Sequence, residues 1–318
     1  MSCVFLRFKS DRWTRSLYTL RYLHASEIRP SKSSHLLKSY FELGRFARPT
    51  GTWLLYLPCT WSIALAAPPG HLPDLYMLAL FGMGSVLMRS AGCTINDMWD
   101  KKYDTLVKRT KDRPLASGAL NFPQALLFLG AQLSASLVIL LQLNCVFLGF
   151  MSMIPVITYP LFKRVTYWPQ LVLGLTFNWG ALLGYSAIVG YIDPFISLPI
   201  YFAGFNWTII YDTIYAHQDI EDDIRIGVKS TAILFGDRTK SYLGAFHMGM
   251  TACLITVGIN ANAGVVYYVG TFLTMCHIAH LIWKTDLKNP NSCWKTFKAS
   301  RTTGLLYFLT IVLDKISL

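Results

Sequence analysis

Apolar residues fall into nine runs, near residues 51–67, 74–95, 123–141, 143–162, 168–190, 194–217, 242–260, 263–283 and 303–316. Short polar stretches separate them. Each run approaches the length that crosses a hydrocarbon core, and in lipid the backbone must satisfy its own hydrogen bonds, so each is expected to be a helix rather than an isolated strand. The pattern predicts an all-α, polytopic membrane protein with about nine transmembrane helices. Its weakest boundaries are the gap between the third and fourth runs, around Asn144, and the short last run.

The connections between runs sharpen this picture. Those after the second, fourth, sixth and eighth carry seventeen Lys or Arg, whereas those after the first, third, fifth and seventh carry none. Such asymmetry orients a multi-span protein with its basic loops inside. Composition agrees, with 53% hydrophobic residues, only 14% charged residues and a mean hydropathy of +0.39 over 318 residues. The net charge of +12 is accounted for by loop bases, so nucleic-acid binding is not expected.

Residues 1–39 read differently from the rest. Up to Lys38 they hold eight Arg or Lys against Asp11 and Glu27, are rich in Ser, and have no uninterrupted apolar core. This resembles a mitochondrial transit peptide or a basic tail, which leaves residues 40–318 as the transmembrane domain.

Acidic residues are not spread evenly. Of seventeen, nine lie between Asp97 and Asp112 or between Asp212 and Asp223. Each cluster ends an apolar run. If the second run continues as a helix, Asn96, Asp100 and Asp104 stack at i, i+4 and i+8 with Asp97 beside them. Asp212, Asp219 and Asp223, spaced seven and four apart, repeat the arrangement. Oxygen ligands of this kind suit Mg²⁺, which keeps positions for water and phosphate, and Lys108, Arg109, Lys111 and Arg113 follow at once. The loop asymmetry puts both acidic stretches on one side of the membrane.

The remaining polar residues are less informative. Seven Cys without a C-x-x-C, and His277 with His280 on one face, are best read as helix packing. Arg89, seven residues before Asn96 and inside a span, is open to two readings, a structural ion pair or an anion site. A cation carrier would also place acids in the membrane, but it has no need of dense Lys and Arg beside them.

The stretches RSAGCTINDMWDKKYDTLVKRTKDRPLASG, YPLFKRVTYWPQLVLG and YDTIYAHQDIEDDIRIGVKSTAILFG together resemble the UbiA-type intramembrane prenyltransferases, from Arg45 onward, and within them those acting in mitochondrial ubiquinone synthesis. The resemblance implies a nine-helix bundle around a central cavity, two Mg²⁺ ions bridging the diphosphate of a polyprenyl diphosphate, and transfer of the prenyl group to the carbon ortho to the hydroxyl of 4-hydroxybenzoate. It assigns Asn96, Asp100 and Asp104 to one ion, Asp219 and Asp223 to the other, and Lys108, Arg109, Arg113 and Lys229 to diphosphate. Asp97, Asp100, Asp212 and Asp219 then belong to the catalytic centre, with Arg164, Arg89 and Tyr215 as candidates for the aromatic acid. It further implies the mitochondrial inner membrane, with catalytic loops facing the matrix, and leaves room for association with other ubiquinone-biosynthesis proteins.

Overall fold

The computed structural model describes residues 32–143 and 145–318. Asn144 and the basic stretch before residue 32 therefore lie outside the described residues. Residues 39–318 form one compact unit. Among the described residues there is no strand. Thirteen α-helices follow in order: α1 (Lys32–Leu43), α2 (Thr50–Leu65), α3 (Leu75–Asp104), α4 (Phe122–Gln142), α5 (Val146–Val165), α6 (Pro169–Phe177), α7 (Trp179–Val189), α8 (Pro194–Ala216), α9 (Ile220–Ile226), α10 (Thr231–Phe235), α11 (Thr239–Asn260), α12 (Val265–Lys284) and α13 (Pro290–Ser317).

The apolar runs become helices that start on polar caps. Asp74 accepts from the Met77 amide at 3.0 Å, and Asn121 forms a reciprocal capping box with Gln124 ahead of α4. Asp193 and Asn289 each precede a Pro at the first helical position of α8 and α13. The run at 168–190, expected as one helix, is broken at Asn178. Its buried side-chain Nδ2 donates to the Gly174 carbonyl and to Thr208, both at 2.8 Å, and so competes with the backbone ladder. The final helix starts earlier than the apolar run, because its first turns, with Lys295 and Lys298, are polar.

Six helical segments are long and apolar enough to cross a membrane: Leu75–Asp104, Phe122–Gln142, Val146–Val165, Pro169–Val189, Thr231–Asn260 and Val265–Lys284. Of the other three expected spans, α2 is short at 16 residues. Helix α8 lies at the centre, buried along its length from Ile196 to Ile214 and packed on α11, α6 and α13. Its own Trp207 packs against Trp61, which also meets Tyr307, and the Trp61 indole donates to the Gly304 carbonyl at 2.8 Å. By contrast α4 and α5 expose Leu127, Val138, Phe147 and Ile154, which is the expected face toward lipid tails.

The described loops sort to two ends of the bundle. At one, Arg109 bonds Asp219, the Lys229 amide donates to the Lys163 carbonyl at 2.9 Å, and Lys240 Nζ donates to the Trp283 carbonyl at 2.9 Å. At the other, Tyr76 meets Gln142 and Asn260 meets the Phe195 carbonyl. The basic connections thus share an end, as the charge asymmetry required.

Candidate active site

Helix α3 does continue past its apolar run to Asp104, so Asn96, Asp97, Asp100 and Asp104 all stand on its last two and a half turns. Asp97, only 1% exposed, accepts from Arg45 Nη2 at 2.9 and 2.7 Å and from Arg113 Nη1 at 3.0 Å. The same Arg113 nitrogen donates to both oxygens of Asp104, at 3.0 and 2.9 Å. Asp97 is therefore a buried junction between three chain segments. Its two oxygens are already committed.

Asp100 faces α5. Lys163 Nζ lies 3.4 Å from Asp100 Oδ2 and 3.3 Å from Asn96 Oδ1, over the ring of Tyr159 at 5.5 Å. Arg164 donates to the Trp99 carbonyl at 2.8 Å, approaches Asp100 Oδ1 at 3.6 Å and stacks on Tyr103 at 4.7 Å. The second acidic stretch reaches the first through Arg109. Its Nε donates to Asp219 Oδ1 at 2.8 Å, its Nη1 lies 3.1 Å from the Tyr215 hydroxyl, and its guanidinium covers the Tyr215 ring at 5.5 Å.

The structure thus brings together Asn96, Asp97, Asp100, Asp104, Arg113, Arg109, Asp219 and Tyr215, and it puts Asp223 one helical turn from Asp219. Tyr215 holds Arg109. Lys108 sits apart, lining a polar cavity with Lys111 and Lys288 on the loop side of Asp219. Lys229 is likewise set back, donating to the Val165 carbonyl at 3.1 Å over Tyr167. Asp212 is half-buried one turn before Tyr215 and feels the charges of Lys163 and Arg89.

Two residues in this cluster were not singled out as site residues from sequence. Lys163 was legible only as a loop base, since nothing in its spacing shows that it turns inward. Arg45 is reached through a left-handed turn, φ 58°, that no periodicity signals. Its Nη1 also donates to the Glu42 carbonyl at 2.8 Å, which fastens that turn.

The donor set fits a hard divalent cation. All the candidate ligands are carboxylate or amide oxygens, and the bases held against them are of the type that also grip phosphate. Burial first, and the Asp219 charge second, push Asp223 up to about 7, against the opposing charges of Lys163 and Arg109. Among the described residues no three His, Cys, Asp or Glu converge as a preformed metal site, because Arg and Lys stand between the acids. Beneath the acids a cavity of about 410 Å³ runs between α2, α3, α4, α5, α6 and α7, lined by residues such as Leu80, Phe81, Leu137, Phe150, Met153 and Phe177. Tyr159 lines it too, one turn below Lys163.

Residues 55–309 match the model of the UbiA prenyltransferase family. The chain is 55% identical over 282 residues to the mitochondrial 4-hydroxybenzoate polyprenyltransferases of Bos taurus and Homo sapiens, covering 88% of this chain and 76% of each relative. The Caenorhabditis elegans protein of the same name is 53% identical over 278 residues, 87% of this chain and 78% of that one. Among solved structures, the fold matches the apo UbiA homologue from Aeropyrum pernix K1 with a TM-score of 0.68 at 23% identity, covering 82% of this chain and 97% of that one. It also matches the UbiA homologue from Archaeoglobus fulgidus bound to GPP and Mg²⁺, with a TM-score of 0.66 at 18% identity, covering 86% and 99%.

Proposed function

Because the chain belongs to the UbiA prenyltransferase family, we propose that it transfers a polyprenyl group from polyprenyl diphosphate to the ring carbon ortho to the hydroxyl of 4-hydroxybenzoate, releasing diphosphate, in ubiquinone biosynthesis. One observation carries the reading. Two acidic stretches from opposite halves of the chain are joined by Arg109 at the polar end of an apolar cavity. That arrangement offers metal and phosphate ligands directly above room for an isoprenoid chain.

Two Mg²⁺ ions are the proposed cofactors, and they supply Lewis-acid neutralisation of the diphosphate as it leaves the allylic carbon. Asn96, Asp100 and Asp104 hold one ion, and Asp219 and Asp223 the other. With these carboxylates so committed, the N–H groups of Arg109, Arg113 and Lys163 are left for diphosphate oxygens. Lys108 and Lys229 form an outer basic rim. Asp97 braces Arg45 and Arg113, Tyr215 orients Arg109, and Asp212 lies beside the reacting ring. The apolar lining excludes water from the allylic cation while the electron-rich acceptor carbon attacks it, and that carbon then gives up its proton to the released diphosphate, which restores the aromatic ring. A cation carrier accounts for the acids but leaves the five bases against them without a purpose.

The basic end of the bundle faces the matrix in this reading, with the protein in the inner membrane and residues 1–39 serving as its transit peptide or basic tail. The experiment is reconstitution of the full chain in liposomes with 4-hydroxybenzoate, a polyprenyl diphosphate and Mg²⁺. Formation of a 3-polyprenyl-4-hydroxybenzoate, abolished by EDTA, is expected. Absence of that product with Mg²⁺ present overturns the proposal.

A further inference from the structure

The last helix carries an aromatic stack to the polar end of the bundle. Its first turns expose Lys295 and Lys298, but Trp294 and Phe297, three residues apart, share the face that meets α8. Their rings stack with 5.7 Å between centroids and 23° between planes. Both reach Tyr215 of α8, Phe297 at 4.5 Å and Trp294 at 6.1 Å. Tyr211, one turn earlier on α8 and 2% exposed, meets Phe297 in a T-shaped pair at 5.9 Å and ties the stack to the core. Lys298 covers the Trp294 ring at 5.6 Å, and Arg109 covers the Tyr215 ring at 5.5 Å. Three rings thus run between two cations, and Arg109 is the one that stands at the acidic stretches.

Arg109 depends on such support. It belongs to the stretch 105–121 between α3 and α4, which contains turns but no helix, so no regular backbone sets its direction. Its Nε bonds Asp219, and its Nη1 donates to the Tyr215 hydroxyl at 3.1 Å. These two holds differ in the prenyl-transfer reading. Once Asp219 turns to a metal ion its grip on Arg109 weakens, and Tyr215 is left to aim the guanidinium at diphosphate. The donors of a guanidinium sit in a rigid planar fork, so a tilt of the ring beneath it redirects all of them. Tyr215 stays in one place only if its own neighbours fix it. Ring pairs hold preferred offsets and tilts, which an aliphatic side chain does not impose.

Resting on the prenyl-transfer reading, we infer that Phe297, backed by Trp294, is a positioning residue for the diphosphate end of the substrate: it holds the Tyr215 ring, which holds the Arg109 fork. The two rings lie before the last apolar run, which begins near residue 303, so the hydrophobic pattern gives them no role. Plain packing is the competing account, since Phe297 also borders the main core. Packing acts on the fold and on both substrates alike. Positioning acts on one substrate and works only through Arg109.

The test is a double-mutant cycle in liposomes carrying the full chain, read as kcat/KM for prenyl diphosphate. Phe297→Leu keeps apolar bulk but removes the ring, and should lower this value by about tenfold while the KM for 4-hydroxybenzoate stays within about twofold. In the Arg109→Lys background the same substitution should cost less than about twofold, because an ammonium has no fork for a ring to orient. Phe297→Tyr, which keeps the ring, should stay within about twofold of the wild type. Trp294→Leu, at the half-buried outer end of the stack, should repeat the dependence on Arg109 and serves where Phe297→Leu does not accumulate. An equal loss in both backgrounds, a matching rise in the KM for 4-hydroxybenzoate, or no loss at all overturns the inference. Absence of prenylated product from the wild-type chain refutes the underlying function instead, and the same cycle is then read as Mg²⁺-dependent binding of geranyl diphosphate.

Discussion

Asp97→Asn separates a brace from a metal ligand. The substitution keeps the shape of the side chain but turns one oxygen into an N–H₂ that faces two guanidinium groups. Three charge-assisted bonds are affected, at 2.9 and 2.7 Å from Arg45 and 3.0 Å from Arg113. Such bonds contribute roughly 1.5–3 kcal/mol each and are not additive. Arg45 and Arg113 keep 18% and 21% of their side-chain exposure, so water recovers part of the loss. A net cost of about 3 kcal/mol follows, at the low end for a broken buried pair. At about 2–4 °C per kcal/mol, the thermal midpoint of the detergent-solubilised protein should fall by roughly 6–12 °C. The Mg²⁺ half-saturation of prenyl transfer should meanwhile stay within about twofold. An unchanged midpoint with Mg²⁺ half-saturation raised about tenfold would mean that Asp97 coordinates metal and that the Arg45–Asp97–Arg113 brace is wrongly assigned.

Other expectations follow from single contacts. The Asp223 carboxyl, held near 7, must lose its proton to bind a cation, so apparent Mg²⁺ affinity should weaken as pH falls below about 7, by up to about tenfold per unit; a flat Mg²⁺ titration between pH 6 and 8 contradicts this. Because that value is raised above an unfolded value of about 4, Asp223 favours the metal-free fold at low pH and withdraws that contribution as pH rises through about 7, which a metal-free melting series across this window reads directly. Asp314, buried in α13, accepts from the Gly264 and Tyr267 amides at 3.1 and 2.9 Å and so caps α12. Asp314→Ala should cost about 1–2 kcal/mol of stability without changing the substrate KM values, and a normal melting midpoint would refute the cap. With the basic loops inside, a cysteine placed at Gly70 should react with an impermeant maleimide added to mitoplasts, and one placed at Lys111 should not; the reverse pattern inverts the topology.

What could be read from sequence was what local periodicity controls. The stripe of Asn96, Asp100 and Asp104 needed only a continuing helix, and α3 supplies it to Asp104. The sharing of one end by both acidic stretches followed from loop charge, and the Arg109–Asp219 contact bears it out. Side-chain direction in loops was not legible. Lys108 and Arg109 are adjacent, yet Arg109 turns to Asp219 and Tyr215 while Lys108 faces the polar cavity. Lys163 and Arg164 divide in the same way, the first toward Asn96 and the second toward Trp99. The break at Asn178 depends on a partner thirty residues away, Thr208, and so left no trace in the hydrophobic pattern. Arg45 was hidden for a similar reason, because its role arises from a left-handed turn and a carboxylate far along the chain.

The central claim is that the two acidic stretches form one diphosphate site. It is tested most directly by Mg²⁺-dependent binding of geranyl diphosphate to the reconstituted protein, measured for the wild type, Asp100→Ala and Asp219→Ala. Loss of one carboxylate ligand from either stretch removes several kcal/mol of interaction with the charged diphosphate complex, so each single variant should bind about a hundredfold or more weakly. Both should remain folded and inserted. Near-normal Mg²⁺-dependent binding by either variant would mean that one stretch suffices alone, and the two-sided site would be wrong.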